Sequence, residues 1–373
     1  MSMATPISEI AVRTTSAAIR AGWSELRRED LLAWNNALRK TQSSIHQYPF
    51  WNEPYRKMGV RPRYLAWGNP QDPMGFATVL TLGFGPAKIG LVFRGPVQVV
   101  DTGFRPPRAM FRELLEWGYS NGYMFLRFTH SDPQILSDIA GAGNALDVDA
   151  FPYLVDFPVL SSDYIVAQHD SEEETLAAFD REARRKIRRG TEAGYEFHSD
   201  NSAEALEKAW PLYQECARRK QFRIERPLSF YMELMRGAQL YNRARVYTVS
   251  LNGKTVGSTV TFRDRTTAHC LLAAFDIEHR HSAAFLHWHT MRDSYRLGAS
   301  RYNLGPGPGS LARFKSQFCQ TPTTYPKPLT MVLREGWFAL WGKAFVPMAK
   351  QLHPMVRRLA LQRAALSGSA VSR

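Results

Sequence analysis

One series of short elements, run through twice, constrains this chain more than any single motif. In the first half, aromatic and β-branched runs at Arg63 to Trp67, Gly75 to Leu82 and Lys88 to Phe93, separated by Gly, Pro or Asn, read as three strands. Pro106-Pro107 then opens a helix over Arg108 to Tyr119, with Met110, Phe111, Leu114, Leu115 and Gly118 at helical spacing. Gly122 closes it before a strand over Tyr123 to Phe128. The second half repeats the order: a strand over Ala244 to Ser250, the hairpin turn Asn252-Gly253, strands over Thr255 to Phe262 and Ala268 to Phe275, a helix over Ala283 to Leu297, Gly298, and a strand over Arg301 to Leu304. Met74-Gly75 and Val256-Gly257 lie 182 residues apart, and Gly122 and Gly298 lie 176 apart. Five elements recurring in order indicate a duplicated α+β unit.

A duplicated unit needs core material, and 9 Trp, 21 Phe and 15 Tyr in 373 residues supply it. An N-terminal helix is expected over Ser24 to Leu38, two helices over Glu172 to Ala193 and Ala203 to Arg219, and a boundary near residue 160. The domains are therefore 1–160 and 161–332, followed by a helical segment, 333–373. That segment mixes Trp337, Phe338, Trp341 and Phe345 with Lys343, Lys350, Arg357 and Arg358. It has two readings: packing back on the first domain, or lying on an anionic membrane surface. Three widely spaced cysteines without a C-x-x-C give no disulfide framework or structural zinc site, so a reducing cytoplasm is expected. Neither a secretory apolar stretch in Met1 to Ile10 nor a run of the roughly 20 apolar residues that span a bilayer occurs.

The net charge of +14 calls for an anionic partner. Arg181, Arg184, Arg185 and Arg188 fall at i, i+3, i+4 and i+7, one helix face, and like charges at that spacing repel by roughly 0.2–0.5 kcal/mol per pair. The stripe reads as a phosphate contact or as a solvated face partly neutralised by Glu172, Glu173, Glu174, Asp180 and Glu182. Gly305-Pro306-Gly307-Pro308-Gly309 lacks the residues of a P-loop or dinucleotide turn. The helix after it, capped by Ser310 and running from Leu311 to Phe318, sets Leu311, Phe314 and Phe318 on an apolar stripe with Lys315 inside it, so that ammonium must snorkel or meet an anion. His279, His281, His287 and His289 form no metal motif, and no metal is expected; Asp276, Glu278 and His281 are open alternatives for a general base. G-x-S-x-G is absent.

Trp51, Gly59, Phe93-Arg94-Gly95-Pro96-Val97, Arg181 to Gly194 and, above all, Tyr302-Asn303-Leu304-Gly305 followed by Arg313-Phe314-Lys315-x-x-Phe318 resemble the Fem family of aminoacyl-tRNA-dependent peptidyltransferases, including FemAB-like proteins. The resemblance runs from about residue 45 to residue 330. It implies two tandem GNAT-like α+β domains and transfer of an amino acid from a tRNA ester to an acceptor amine, either a peptidoglycan precursor or another small molecule or peptide, without a cofactor. It also implies that Phe314 and Lys315 meet the aminoacyl end of tRNA, with Tyr302 in the same motif and Arg184, Arg185 and Arg188 toward phosphates. The lysine that the family carries four residues after the Trp is Tyr55 here, with Arg56 and Lys57 adjacent. Arg223, in the cluster Arg218, Arg219, Lys220, Arg223 and Arg226, is a further candidate for acceptor phosphate. The alternative donor is acyl-CoA. GNAT enzymes cradle its pyrophosphate on [RQ]-x-x-G-x-[GA], and the corresponding stretch, Arg280-His281-Ser282-Ala283-Ala284-Phe285, makes Arg280 and Ser282 candidates. A noncatalytic tRNA- or membrane-binding module is the third reading.

Overall fold

The structure is a computed structural model, and it describes residues 22–345 except 28–29, 32–33, 35–36, 39–40, 42, 71, 84, 100–106, 144, 147–161 and 308. The first half contains β1 (Trp23–Glu25), α1 (Pro49–Asn52), β2 (Arg61–Asn69), β3 (Asp72–Leu82), β4 (Ile89–Phe93), β5 (Val97–Gln98), α2 (Arg108–Ser120), β6 (Phe125–Thr129), α3 (Pro133–Ala140) and β7 (Ala145–Leu146). Next come β8 (Ser162–Asp163), β9 (Ile165–Ala167), α4 (Glu172–Ala177), α5 (Arg181–Glu192), β10 (Glu196–Asp200), α6 (Ala203–Lys220) and α7 (Leu228–Gln239). The second repeat follows as β11 (Ala244–Leu251), β12 (Lys254–Arg263), β13 (Thr267–Phe275), α8 (Ser282–Arg296) and β14 (Arg301–Asn303), and the chain continues through α9 (Ser310–Lys315), β15 (Thr323–Thr324), β16 (Leu329–Val332) and α10 (Glu335–Leu340).

One sheet has the order β1-β2-β3-β4-β6-β16-β7, with β5 also on β3; the other has the order β10-β11-β12-β13-β14-β9; β8 and β15 make a small ribbon. The repeat read from the sequence is present in both. An antiparallel meander, β2-β3-β4 or β11-β12-β13, is followed by a helix and a parallel strand, β6 or β14. Gly122 and Gly298 end the two helices at φ 78° and 93°, the left-handed geometry that leaves a helix cheaply only at glycine. Each sheet is closed by an antiparallel strand from outside its own repeat, β16 on β6 and β9 on β14.

Several expectations are corrected. The N-terminal helix does not begin at Ser24: Trp23–Glu25 is an edge strand on β2, with Trp23 opposite Trp67 and its indole N–H on the Met110 carbonyl, and helical turns occur only later, at Leu31, Trp34, Ala37 and Leu38. The helix expected over Glu172 to Ala193 is two, because Asp180 leaves helical geometry and caps α5 through Ala183 N–H at 2.6 Å. The Leu311 to Phe318 helix stops at Lys315; Ser310 is its first residue rather than its cap, and Leu311 is exposed. Leu329–Val332, placed with the second domain by the boundary at 332, pairs with the first sheet. Of the C-terminal segment, α10 and Trp341 cover the first sheet, where Phe338 and Trp341 sit edge-on to Phe125 at 5.9 Å; residues 346–373 lie outside the described residues. Among the described residues no helix is long and apolar enough to cross a membrane.

The largest core belongs to both halves. Tyr64, Phe76 and Leu80 of the first sheet meet Val246, Val260 and Phe262 of the second, sealed by Trp210 of α6 and by Phe230 and Met235 of α7. The outer face of the first sheet packs under α2, and that of the second under α5 and α8.

Candidate functional site

The two repeats differ where the parallel strands meet. In the first, β4 and β6 stay paired over five positions, from Ile89↔Phe125 to Phe93↔Thr129. In the second, β13 and β14 pair only from Thr267↔Arg301 to His269↔Asn303, after which β14 ends while β13 continues to Phe275 past a bulge opposite Val260 and Thr261. Backbone groups freed along such an opening are available to a ligand. Lys315 reaches this point: its Nζ donates to the carbonyls of Leu304 and of Pro306, the latter at 2.7 Å. The ammonium is thus held by backbone carbonyls rather than by a carboxylate. Burial lowers its pKa, against the neighbouring Cys270 and Asp163, which raise it. Gly305, at φ 77°, gives the strand end its left-handed turn beside this amine.

Under Lys315 lies an aromatic layer. Phe314 lies tilted against His287 at 5.7 Å and edge-on to Phe318 at 5.3 Å, and His287 Nδ1 is 3.4 Å from the buried Tyr302 hydroxyl. Burial, and then the charge of Lys315, drive the His287 pKa from 6.5 to about 3, so the ring is neutral at pH 7. Its folded value is depressed, so the stability it contributes is complete above pH 6.5 and is lost as pH falls toward 3. His287→Phe is therefore expected to flatten the acid-side fall of Tm in scans between roughly pH 6 and 4. An unchanged slope would mean that this ring does not set it.

A chain of polar groups, for the most part missed by the sequence reading, runs from β13 to the first domain. Asp264 Oδ1 accepts the N–H groups of Thr266 at 2.9 Å and Thr267 at 2.7 Å, and Oδ2 meets His269 Nε2 at 2.9 Å. Burial pushes the Asp264 carboxyl up, but the bond from His269 and these two N–H groups hold it below the ordinary range. Asn303, fixed by Gly305 N–H on its Oδ1 at 2.6 Å, directs Nδ2 to Asp163 Oδ2 at 2.8 Å and to His269 Nδ1 at 3.5 Å. Tyr325 donates to the same Asp163 oxygen at 2.9 Å, and the Arg94 guanidinium lies 3.9 Å over the Tyr325 ring. His46 and His130 stand near Arg94; burial first, then the Arg94 charge, lowers their pKa values to about 3 and about 4. Asn303 and Arg94 lie in segments singled out by motif, whereas Asp163 and the Asp264–His269 pair carry no local signal. They meet only through strand pairing.

The structure brings Phe314, Lys315 and Tyr302 together and sets α5 beside them: Lys186 Nζ donates to Gln317 Oε1 at 3.2 Å, and Asp180 N–H to the Gln317 carbonyl at 2.9 Å. Arg184, Arg185 and Arg188 are exposed on α5. Arg185 pairs with Glu182 at 2.6 Å and Arg188 with Glu192 at 3.5 Å, while Arg181, Arg184 and Arg189 have no carboxylate partner among the described residues. At the start of α8, Arg280 is exposed, but Ser282 is buried and donates its hydroxyl to the His279 carbonyl at 2.7 Å, so it is not presented to a ligand. Arg223 is exposed on the loop between α6 and α7, in no described contact with these residues. Of the base candidates, Asp276 is engaged by Lys254 at 3.2 Å, Glu278 is exposed, and burial and the charges of Arg189, Lys186 and Arg185 lower the His281 pKa.

The profile of the acetyltransferase (GNAT) domain family matches residues 177–316, the stretch that holds α5, the open β13/β14 pair and Lys315. No curated protein sequence matches the chain. Among solved structures, FemX is 14% identical, covers 86% of this chain and 100% of its own, and superposes with a TM-score of 0.72. L-PGS from Bacillus licheniformis is 13% identical, with 83% and 93% covered and a TM-score of 0.52. The C-terminal domain of a putative lysylphosphatidylglycerol synthetase from Agrobacterium fabrum is 16% identical, with 84% and 96% covered and a TM-score of 0.51. The chain thus shares the fold of these structures, two tandem GNAT-like units, and residues 177–316 form an acyltransferase domain of the GNAT type.

Proposed function

We propose that the protein transfers an aminoacyl group from aminoacyl-tRNA to an acceptor amine. The observation that carries this reading is the half-buried Lys315 ammonium at the opening of β13 from β14, where a donor carbonyl would be out of bulk water and its developing oxyanion would face a preorganised cation. The unpaired arginines of α5, tied to the same segment through Gln317, supply a surface for tRNA phosphates. For the acceptor, Tyr55 is buried with Arg226 over its ring, and Arg56 and Lys57 are paired with Glu53 and Glu233, which favours an acceptor without a nucleotide diphosphate. A peripheral contact with an anionic membrane is part of the same proposal, since α10 leaves Trp337 and Leu340 exposed.

Incubation with charged tRNA or with acyl-CoA, followed by mass spectrometry of added amines, tests the donor. The acyl-CoA reading has one observation in its favour, the approach of Arg185, Lys186 and Arg189 to the start of α8. Transfer from acyl-CoA alone would establish it, and transfer from neither donor would return the chain to a binding module. Charge reversal of Arg184 and Arg185 together is expected to weaken tRNA binding by tenfold or more and to lower the slope of log Kd against log salt by about one to two. A slope equal to that of wild type would make α5 a solvated face.

A further inference from the structure

We propose that Asp163, Asn303, His269 and Asp264 form the subsite for the acceptor's primary ammonium, with Asp163 as its anchor and His269 as the base that accepts its proton. The inference rests on the transfer reading above and names the half of the reaction that Lys315 leaves open. Asp163 is only 2% exposed, yet its Oδ1 has no hydrogen-bond partner, whereas Oδ2 accepts from both Asn303 and Tyr325. A buried carboxylate oxygen without a donor carries a desolvation cost that an ammonium would offset. Lys315 is close enough to sense this charge but directs its bonds to backbone carbonyls, so it does not fill the role.

The histidine is prepared for proton transfer by its neighbours. Asp264 is locked by two backbone N–H groups and accepts from His269 Nε2, which fixes the tautomer with the Nδ1 lone pair turned to the Asn303 side. Asn303 Nδ2 stands between Asp163 and His269, 2.8 Å from one and 3.5 Å from the other, so an ammonium over this amide meets both. His269 remains 21% exposed in its side chain, enough for a substrate to reach it. The charged and titratable groups around it are Asp264 on its own hairpin, Asp163 on β8, Lys315 on α9, Tyr325, and His46 and Arg94 of the first domain. His46 is neutral through the physiological range.

The acceptor ammonium gives one proton to His269 Nδ1, and the free amine attacks the ester carbonyl carbon, forming the C–N bond while the carbonyl electron pair moves to oxygen beside Lys315. Collapse breaks the ester C–O bond. The ribose oxygen leaves with that electron pair and takes the amine's second proton, the amide keeps the third, and imidazolium returns its proton to water.

The test uses the full chain, aminoacyl-tRNA as donor and n-butylamine as the acceptor probe. His269→Gln is expected to fold with a Tm near that of wild type and to lose 10²- to 10⁴-fold in amide formation. Asp264→Asn, which leaves the histidine in place but removes the carboxylate that orients it, should lose less. A His269→Gln rate equal to that of wild type would overturn the proposal. Binding is read independently: in chain labelled with ¹⁵N-histidine, butylammonium should shift the His269 resonances in wild type and leave them unmoved in Asp163→Asn. If wild type transfers from no tRNA but this shift is seen, the donor reading fails and the ammonium subsite stands; no shift, or an equal shift in Asp163→Asn, overturns the subsite.

Discussion

Lys315→Ala is expected to reduce aminoacyl transfer by 10²- to 10³-fold while moving Tm by only a few degrees. The catalytic part follows from where the charge sits: an ammonium already held by the Leu304 and Pro306 carbonyls needs no reorganisation when an oxyanion develops, and removing one such donor costs about 3–4 kcal/mol of transition-state stabilisation. The structural part is smaller because α9 is short and without a buried residue, so the loss is two partly exposed hydrogen bonds, about 1–2 kcal/mol. Lys315→Met keeps an aliphatic side chain of similar length and separates charge from packing; it should be as inactive as the alanine variant. Burial lowers the pKa of this lysine, so a reaction that needs its charged form should fail at a pH below the ordinary lysine range. Near-normal steady-state transfer by Lys315→Ala would remove the amine from the reaction.

What could be read from the sequence, and what could not, divides by range. Period-two and helical patterns located both meanders and both following helices to within about three residues, because each is set by side chains a few positions apart. Lys315 stood out for the same reason, as a charge inside an apolar stripe. The N-terminal strand was read as a helix because Trp23, Ser24 and Glu25 acquire their partners only from Leu65, Ala66 and Trp67, some forty residues on. Asp163 and the Asp264–His269 pair were invisible on the same grounds. His269 and Asn303 are neighbours because β13 and β14 pair in parallel across a helix, and Asp163 reaches Asn303 over 140 positions. Ser282 was placed by analogy with a phosphate cradle, and the structure turns its hydroxyl into the backbone at the start of α8 instead.

Phe262→Ala should destabilise the whole chain by about 3–5 kcal/mol and lower a single calorimetric transition, rather than melting the second domain alone. Phe262 is fully buried in the one core that unites the sheets. It stands opposite His269 in the β12/β13 ladder and edge-on to Trp51 of the first domain at 5.7 Å. Removing the ring therefore opens a cavity shared by both halves, and neither can repack without the other. The closing strands add to the coupling, since β16 must return from the second half to complete the first sheet. Two calorimetric peaks, only one of them displaced in the variant, would show that the halves unfold separately. A cooperative loss has a functional consequence. Trp51 also meets His46 at 5.5 Å, and His46 lies beside Arg94 at the acceptor side, so loosening this core should raise the acceptor KM before the protein unfolds. The donor side, held by β13, β14 and α9 within the second half, should keep its affinity for aminoacyl-tRNA over the same temperatures.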